Sequence, residues 1–330
     1  MGVHPVRGRC PHLCPPSRGS CRGQHALQPR CHTAAPRAPG TRRHHHAAAA
    51  EQAPVLRRRY RGHEDTRADH DRRRDRAVSL LEAVSVTRTF AGIAALHDVS
   101  LEVGEAEVVG LIGPNGAGKT TLFNCIYGEL RPSRGVVRFR GRNIGSLPPE
   151  RRARLGLGRT FQRIELFPGM TVREHLLVAE RSRNGRGGLL RDLLNKGLPT
   201  PDERVRADRV LGLLGIGDQA DRPIESTSLG HSRLVELGRA LMMEPRLLLL
   251  DEPSSGLDSN ERTMLGDVFR SACNESGTSI LLVEHDVEMV SRVTSRLYVL
   301  DSGSVIAFGD TSEVLADPLV RRAYIGDVLA

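Results

Sequence analysis

The chain has 330 residues and no apolar run of about 18, the length a membrane span requires. Its net charge of +9 is unevenly held: residues 1–77 carry 17 Arg, no Lys and six acids, net +11, so residues 78–330 carry −2. That division excludes a uniformly basic nucleic-acid binder, and two isolated cysteines beyond residue 77, Cys125 and Cys273, exclude a disulfide framework and suit a reducing compartment.

Residues 1–77 hold eight of the 19 Pro and nine of the 13 His, with no sustained helical or strand period. Such a segment cannot bury enough apolar surface to offset chain entropy, so it is expected to be disordered, with at most a short basic helix near Arg57–Arg76. Cys10, Cys14, Cys21 and Cys31 do not have zinc-finger spacing, and no apolar h-region follows the arginines. The Arg run suits contact with nucleic acid or anionic lipid at low salt. The preferred reading is an extension that the following domain does not need, or a spurious upstream start.

From Leu80 the pattern changes to alternating apolar residues and turns. The run Glu107–Ile112 reads as a buried strand, and Thr120–Tyr127 as a helix ended by Gly128. Between them, Gly113-Pro-Asn-Gly-Ala-Gly-Lys-Thr120 fits G-x-x-x-x-G-K-[ST]. Gly116 and Gly118 allow backbone N–H groups to turn toward phosphate oxygens without a Cβ, and the helix start adds a positive end. Lys119 then bridges the β- and γ-phosphates of a nucleotide, and the Thr120 hydroxyl ligates Mg²⁺. The chain has only two lysines, Lys119 and Lys196, so a strongly Arg-biased sequence keeps a compact ammonium in this loop.

Further along, Leu247–Leu250 reads as a buried strand ending in Asp251-Glu252-Pro253. Carboxylates at the C-terminal end of a parallel strand face the ligand crevice. Asp251 is expected to hold Mg²⁺ and Glu252 to act as general base toward a water. A second apolar run, Ile280–Val283, leads to His285.

With these motifs in this order, residues 78–330 resemble the ATPase subunits of ABC transporters. The resemblance implies an α/β fold of the P-loop NTPase type: a mostly parallel core sheet flanked by helices, an antiparallel β subdomain, and a helical subdomain over about 163–245. It implies that Phe90, 23 residues before the P-loop, stacks on adenine. Asn115, Gly116, Ala117, Gly118, Lys119, Thr120 and Thr121 would cradle ATP. Gln162 of "RTFQ" matches the Q-loop residue that senses Mg²⁺ and the γ-phosphate, Asp258 of "SSGLD" matches the D-loop, and His285 matches the switch histidine. Catalysis would then rest on Glu252, His285, Gln162 and Lys119, with Mg²⁺ on Thr120, Gln162 and Asp251.

The same family carries L-S-G-G-Q at the start of a helix. Here Thr227 replaces Leu, Ser228 matches Ser, Leu229 replaces Gly, Gly230 matches Gly and His231 replaces Gln. Ser228 and Gly230 retain the contacts to a γ-phosphate in the second subunit. His231 cannot offer both an amide donor and an amide acceptor, so it either orients the turn indirectly or weakens this half-site. Between Gln162 and Ser226, Phe167–Arg183 reads as a loop plus amphipathic helix, and the stretch from Asn184 through "NKGLPTPDER" as a Gly/Pro-rich loop. Val205, Val210, Leu213 and Leu214 lie at helical spacing and are expected in a core.

"GIAALHDVSLEV", "GRTFQ" followed by "LFPGMTV", the insert near Asn184–Thr200, "LLVEHDVEMV" and "RRAYIGD" are similar to the branched-chain amino acid uptake ATPases of the LivG type. That resemblance implies an ATP-hydrolysing importer subunit at the cytoplasmic face of the cell membrane. Its partners would be integral-membrane permease subunits, a second ATPase subunit and, indirectly, an extracytoplasmic solute-binding protein. Transport of urea, amides or other solutes is the alternative. A soluble ABC protein on ribosomes or nucleic acid fits less well, since one P-loop and no heptad run are visible. A non-catalytic ATP-binding module would lack Glu252 or His285.

Overall fold

The computed structural model describes residues 79–160, 166–183 and 199–322. The expectations for residues 1–77, for Gln162, for the insert 184–198 and for the end of "RRAYIGD" lie outside these residues.

Among the described residues, ten strands form two sheets. The first is antiparallel, in the order β2 (Ile93–Val103), β1 (Leu81–Phe90), β4 (Arg134–Phe139), β5 (Arg142–Asn143). The second runs β10 (Ser304–Asp310), β9 (Arg296–Asp301), β3 (Val108–Ile112), β8 (Ser279–Val283), β7 (Leu247–Asp251), β6 (Leu157–Arg159), all parallel except β10. The expected α/β fold with a mostly parallel sheet and a separate antiparallel sheet is therefore present.

Every residue of β3, β7 and β8 is buried, which explains their unbroken apolar runs: strands covered on both faces need no alternation. Their side chains still alternate between two cores. Leu248, Leu250 and Leu282 face one core, whereas Leu247, Leu249, Leu281 and Val283 face a second, filled by Leu122, Phe123 and Ile126 and by the antiparallel sheet. Truncating any one of these leucines to Ala is worth about 2–5 kcal/mol. Register sets the functional rim. Asp251 pairs with Val283 and Leu111 with Val283, so the chain leaves β3, β7 and β8 at one level.

Helix α1 (Lys119–Tyr127) follows β3 and ends at Gly128, whose φ of 102° lets its N–H close onto Asn124 O. Helix α2 (Pro149–Arg154) packs Arg152 against the end of α1. Three helices, α3 (Val172–Arg183), α4 (Pro201–Leu213) and α5 (Leu229–Met242), bury Leu176, Leu211, Leu234 and Leu237 in a common cluster. Helix α6 (Ser259–Ser276) lies between β7 and β8 in the chain, and α7 (Val287–Val293) and α8 (Thr311–Ala316) flank β9 and β10. Among the described residues no helix is long and apolar enough to cross a membrane.

Two expectations in the helical region are corrected. The stretch read as a loop through Arg204 already contains the start of α4: Thr200 and Glu203 form a reciprocal capping box and Pro201 occupies the first turn. Val205 is 59% exposed rather than in a core. The buried face of α4 is Glu203, Ala207 and Leu211, and Val205 stands about 200° around the helix from Ala207. Leu214 is buried as expected, and Val210 and Leu213 are half-buried.

Candidate active site

The rim at the C-terminal ends of β3, β7 and β8 brings together Lys119, Asp251, Glu252 and His285. Lys119 is buried, and its ammonium donates to Gly113 O at 2.6 Å and Pro114 O at 3.0 Å. Burial lowers its pKa, opposed by the negative charges of Glu252 and Asp251. The loop around it is tight. Gly116 takes a positive φ of 81°, the left-handed region that favours glycine, while a Cβ there would meet no protein atom within 4 Å. Gly118 is different: its Cβ would stand 2.7 Å from Ala95 O and 2.9 Å from Leu96, so glycine is needed there for packing on β2. Ala117 is buried, while Asn115 and Thr120 are exposed and Thr121 is half-buried.

Asp251 ends β7 almost fully buried, and burial raises its pKa. Arg159 opposes that shift, with a guanidinium nitrogen 3.6 Å from Asp251 Oδ2. Arg159 also donates to Asn124 Oδ1 at 2.7 Å and lies over the Tyr127 ring, so one side chain ties β6, α1 and the β7 carboxylate together. Asp251 Oδ1 is buried with no hydrogen-bond partner among the described residues.

Glu252 adopts φ 50°, a left-handed conformation costly for a residue with a side chain. The turn is held by its N–H donating to Val283 O, and its carboxylate lies half-buried with Oε1 2.6 Å from His285 Nε2. Behind this pair sits Glu284, 2% exposed, which accepts from Ser254 N at 2.8 Å and His285 N at 3.2 Å. Burial raises its pKa. Glu284 thereby joins the turn after β7 to the turn after β8.

A second cluster forms at the start of α5. Ser228 is the N-cap, its Oγ accepting from His231 N. Ser228 Oγ also lies 2.9 Å from His231 Nδ1 and donates to Glu261 Oε1 at 3.0 Å, an oxygen that accepts from Gly230 N as well. The other Glu261 oxygen accepts from Asp258 N in a capping box at the start of α6. The turn holding Ser228 and Gly230, and Asp258, expected as two separate motifs, are thus linked through a glutamate that sequence reasoning passed over. Phe90 lies at the end of β1, 42% exposed, with the Arg88 guanidinium 4.6 Å from its ring centre.

The family model described as "ABC transporter" matches residues 96–255. The LivG high-affinity branched-chain amino acid transport ATP-binding protein of Salmonella typhimurium is 38% identical over 251 residues, covering 75% of this chain and 98% of that protein. BraF of Pseudomonas aeruginosa, named for the same transport, is 36% identical over the same share of this chain and 98% of its own. This chain belongs to the ABC transporter ATP-binding family. The fold agrees: an ABC transporter ATP-binding cassette in its ADP conformation superposes with a TM-score of 0.66 at 32% identity, covering 75% of this chain and 99% of the other.

As an ABC ATPase, the cassette carries four side chains that the motifs alone did not reveal. Arg159, Glu261 and Glu284 bond to partners far away in sequence. Arg152, 1% exposed, donates to the carbonyls of Leu147, Cys125 and Ile126 and so closes the C-terminal end of α1. Burial brings its pKa down to about 10. Arg159 left a local trace as the residue opening "RTFQ", and Glu284 as the acid directly before His285 in "LLVEHDVEMV".

Proposed function

We propose that the cassette powers a membrane importer for branched-chain amino acids or closely related small solutes, bound to permease subunits at the cytoplasmic face of the membrane. A second ATPase subunit would complete each ATP site, and an extracytoplasmic binding protein would deliver the solute to the permease. The observation that carries the reading is the Lys119, Asp251, Glu252 and His285 grouping at one strand rim, in a chain that covers nearly the whole of LivG at 38% identity.

In this reading the P-loop backbone from Asn115 to Thr121 wraps the ATP phosphates, and Lys119 exchanges its two carbonyl partners for phosphate oxygens. Phe90 supports the adenine. Glu252 orients and deprotonates the attacking water, and His285, already on Glu252 Oε1, fixes the carboxylate toward it. The residues fit Mg²⁺: the buried, unpaired Asp251 Oδ1 is a carboxylate oxygen left for a cation, and Thr120 offers its hydroxyl from the first turn of α1. Asp251 and Thr120, with Gln162, would hold the ion, which when bound neutralises phosphate charge. Ser228 and Gly230 would address the γ-phosphate held by the second subunit, with Asp258 at the same interface.

Isolation of the chain from membranes with its partners, followed by uptake of labelled leucine, isoleucine, valine and urea into vesicles, tests this. ATP-dependent uptake of the branched-chain amino acids is the expected result. Uptake of urea alone, or recovery with ribosomes or nucleic acid at high salt, would overturn it.

A further inference from the structure

The donors at the start of α5 already hold an anion from their own chain. Ser228 Oγ–H and Gly230 N–H converge on one oxygen of Glu261, at 3.0 and 3.1 Å. The direction of the network follows from its far end. Gln219 presents its amide nitrogen to His231 Nε2 at 2.9 Å, so Nε2 accepts and Nδ1 carries the proton. That proton goes to Ser228 Oγ, 2.9 Å away, which leaves the serine hydroxyl hydrogen for Glu261. His231 therefore does what an amide in its place cannot do with one end group: it bridges Gln219 and Ser228 through opposite edges of a ring. Gly230 is part of the same arrangement. A Cβ there would lie 2.3 Å from Glu261 Cδ and Oε1, so the glycine admits the carboxylate.

We infer that Glu261 is an internal latch: its carboxylate occupies the signature-turn donors that would bind the γ-phosphate of the second subunit's ATP, and must be displaced before the two cassettes close on that ATP. The other Glu261 oxygen accepts from Asp258 N, so the same carboxylate also touches the D-loop start of α6. Nucleotide without a γ-phosphate has nothing to exchange for the carboxylate, so the latch discriminates ATP from ADP at the closing step. A charged acceptor makes the stronger hydrogen bonds, so a neutral amide at 261 holds the turn more weakly than the carboxylate. The inference rests on the proposed γ-phosphate contact of Ser228 and Gly230.

The experiment measures KM for ATP in steady-state hydrolysis, alongside Kd for a fluorescent ADP, on the full chain and its Glu261→Gln, Glu261→Ala and Ser228→Ala variants. The expected result is a KM for ATP about three- to tenfold lower in Glu261→Ala, and lowered less in Glu261→Gln, with Kd for ADP at the parent value in both. A merely structural role for Glu261 would raise KM or move ADP binding as well. Unchanged or raised KM in Glu261→Gln, the variant that keeps the shape and the capping geometry, overturns the latch. Ser228→Ala separates this failure from failure of the underlying reading: if that variant also leaves KM and kcat unchanged, the γ-phosphate contact is wrong. If it impairs turnover while Glu261→Gln does nothing, only the latch is wrong.

Discussion

Helices α1 and α5 both begin where phosphate is expected, yet their first turns are finished differently. Helix α1 starts on Gly118 with no side-chain cap and no acid in its first turn, so its N–H groups are left to a ligand. Helix α5 starts on Ser228, which caps His231 N, and Glu261 takes Gly230 N. The opposite end of α1 is the closed one, where Arg152 gathers the carbonyls of Cys125 and Ile126. In the proposed reading, the helix that binds nucleotide within its own chain is anchored from behind and open in front, and the one that would meet nucleotide only in a dimer has its front covered by its own side chains.

The largest effects should come from the open end. Lys119→Ala and Glu252→Gln are each expected to slow phosphate release by about 10²–10³-fold or more. They should differ in fluorescent-nucleotide titration, with Glu252→Gln still binding ATP and Lys119→Ala losing it. Wild-type turnover in Glu252→Gln would remove that residue from the base role. At the anchored end, Arg152→Leu leaves buried carbonyls without donors and should cost about 2–4 kcal/mol in urea unfolding. A loss below about 0.5 kcal/mol would show that α1 is held by something else.

On the covered helix the effects are smaller. His231→Ala should lower kcat/KM about two- to tenfold, the worth of the bonds that hold Ser228. His231→Gln, able to satisfy one of the two partners, should fall between. Equal rates for all three proteins would mean that the turn holds Ser228 without the ring.

The smallest effect concerns Glu284, which joins the turns after β7 and β8. Its pKa is raised in the fold above the ordinary 4.5, so the folded protein holds that proton more tightly than the unfolded chain. Its contribution is complete below pH 4.5 and is lost as pH rises through the folded value. Wild type should therefore lose stability relative to Glu284→Gln between pH 4 and pH 8. A constant difference in urea midpoints across that range would contradict the assignment.

This contrast also marks what could be read in advance. The open end was legible because it is local: an apolar strand, a glycine-rich loop and a helix lie within one stretch, and Gly128 ends the helix as placed. Asp251 and Glu252 were legible for the same reason, standing directly after four buried leucines. The covering of α5 was not, because Glu261 lies 33 residues from Ser228 and its position as an N3 capping residue accounts for it fully within α6. Arg152 looked like one of many arginines, and its partners Cys125 and Ile126 are 27 and 26 residues away. Val205 misled because apolar spacing names a helix face but not which face a neighbour covers.

The scarcity of lysine gives the open end a practical use. Of the two lysine amines in the chain, Lys119 is shielded between the carbonyls of Gly113 and Pro114, so an acylating reagent reaches it only when the loop loosens. Mass-spectrometric labelling at that one peptide would therefore report loop opening and nucleotide protection directly, with Lys196 as the only competing lysine signal.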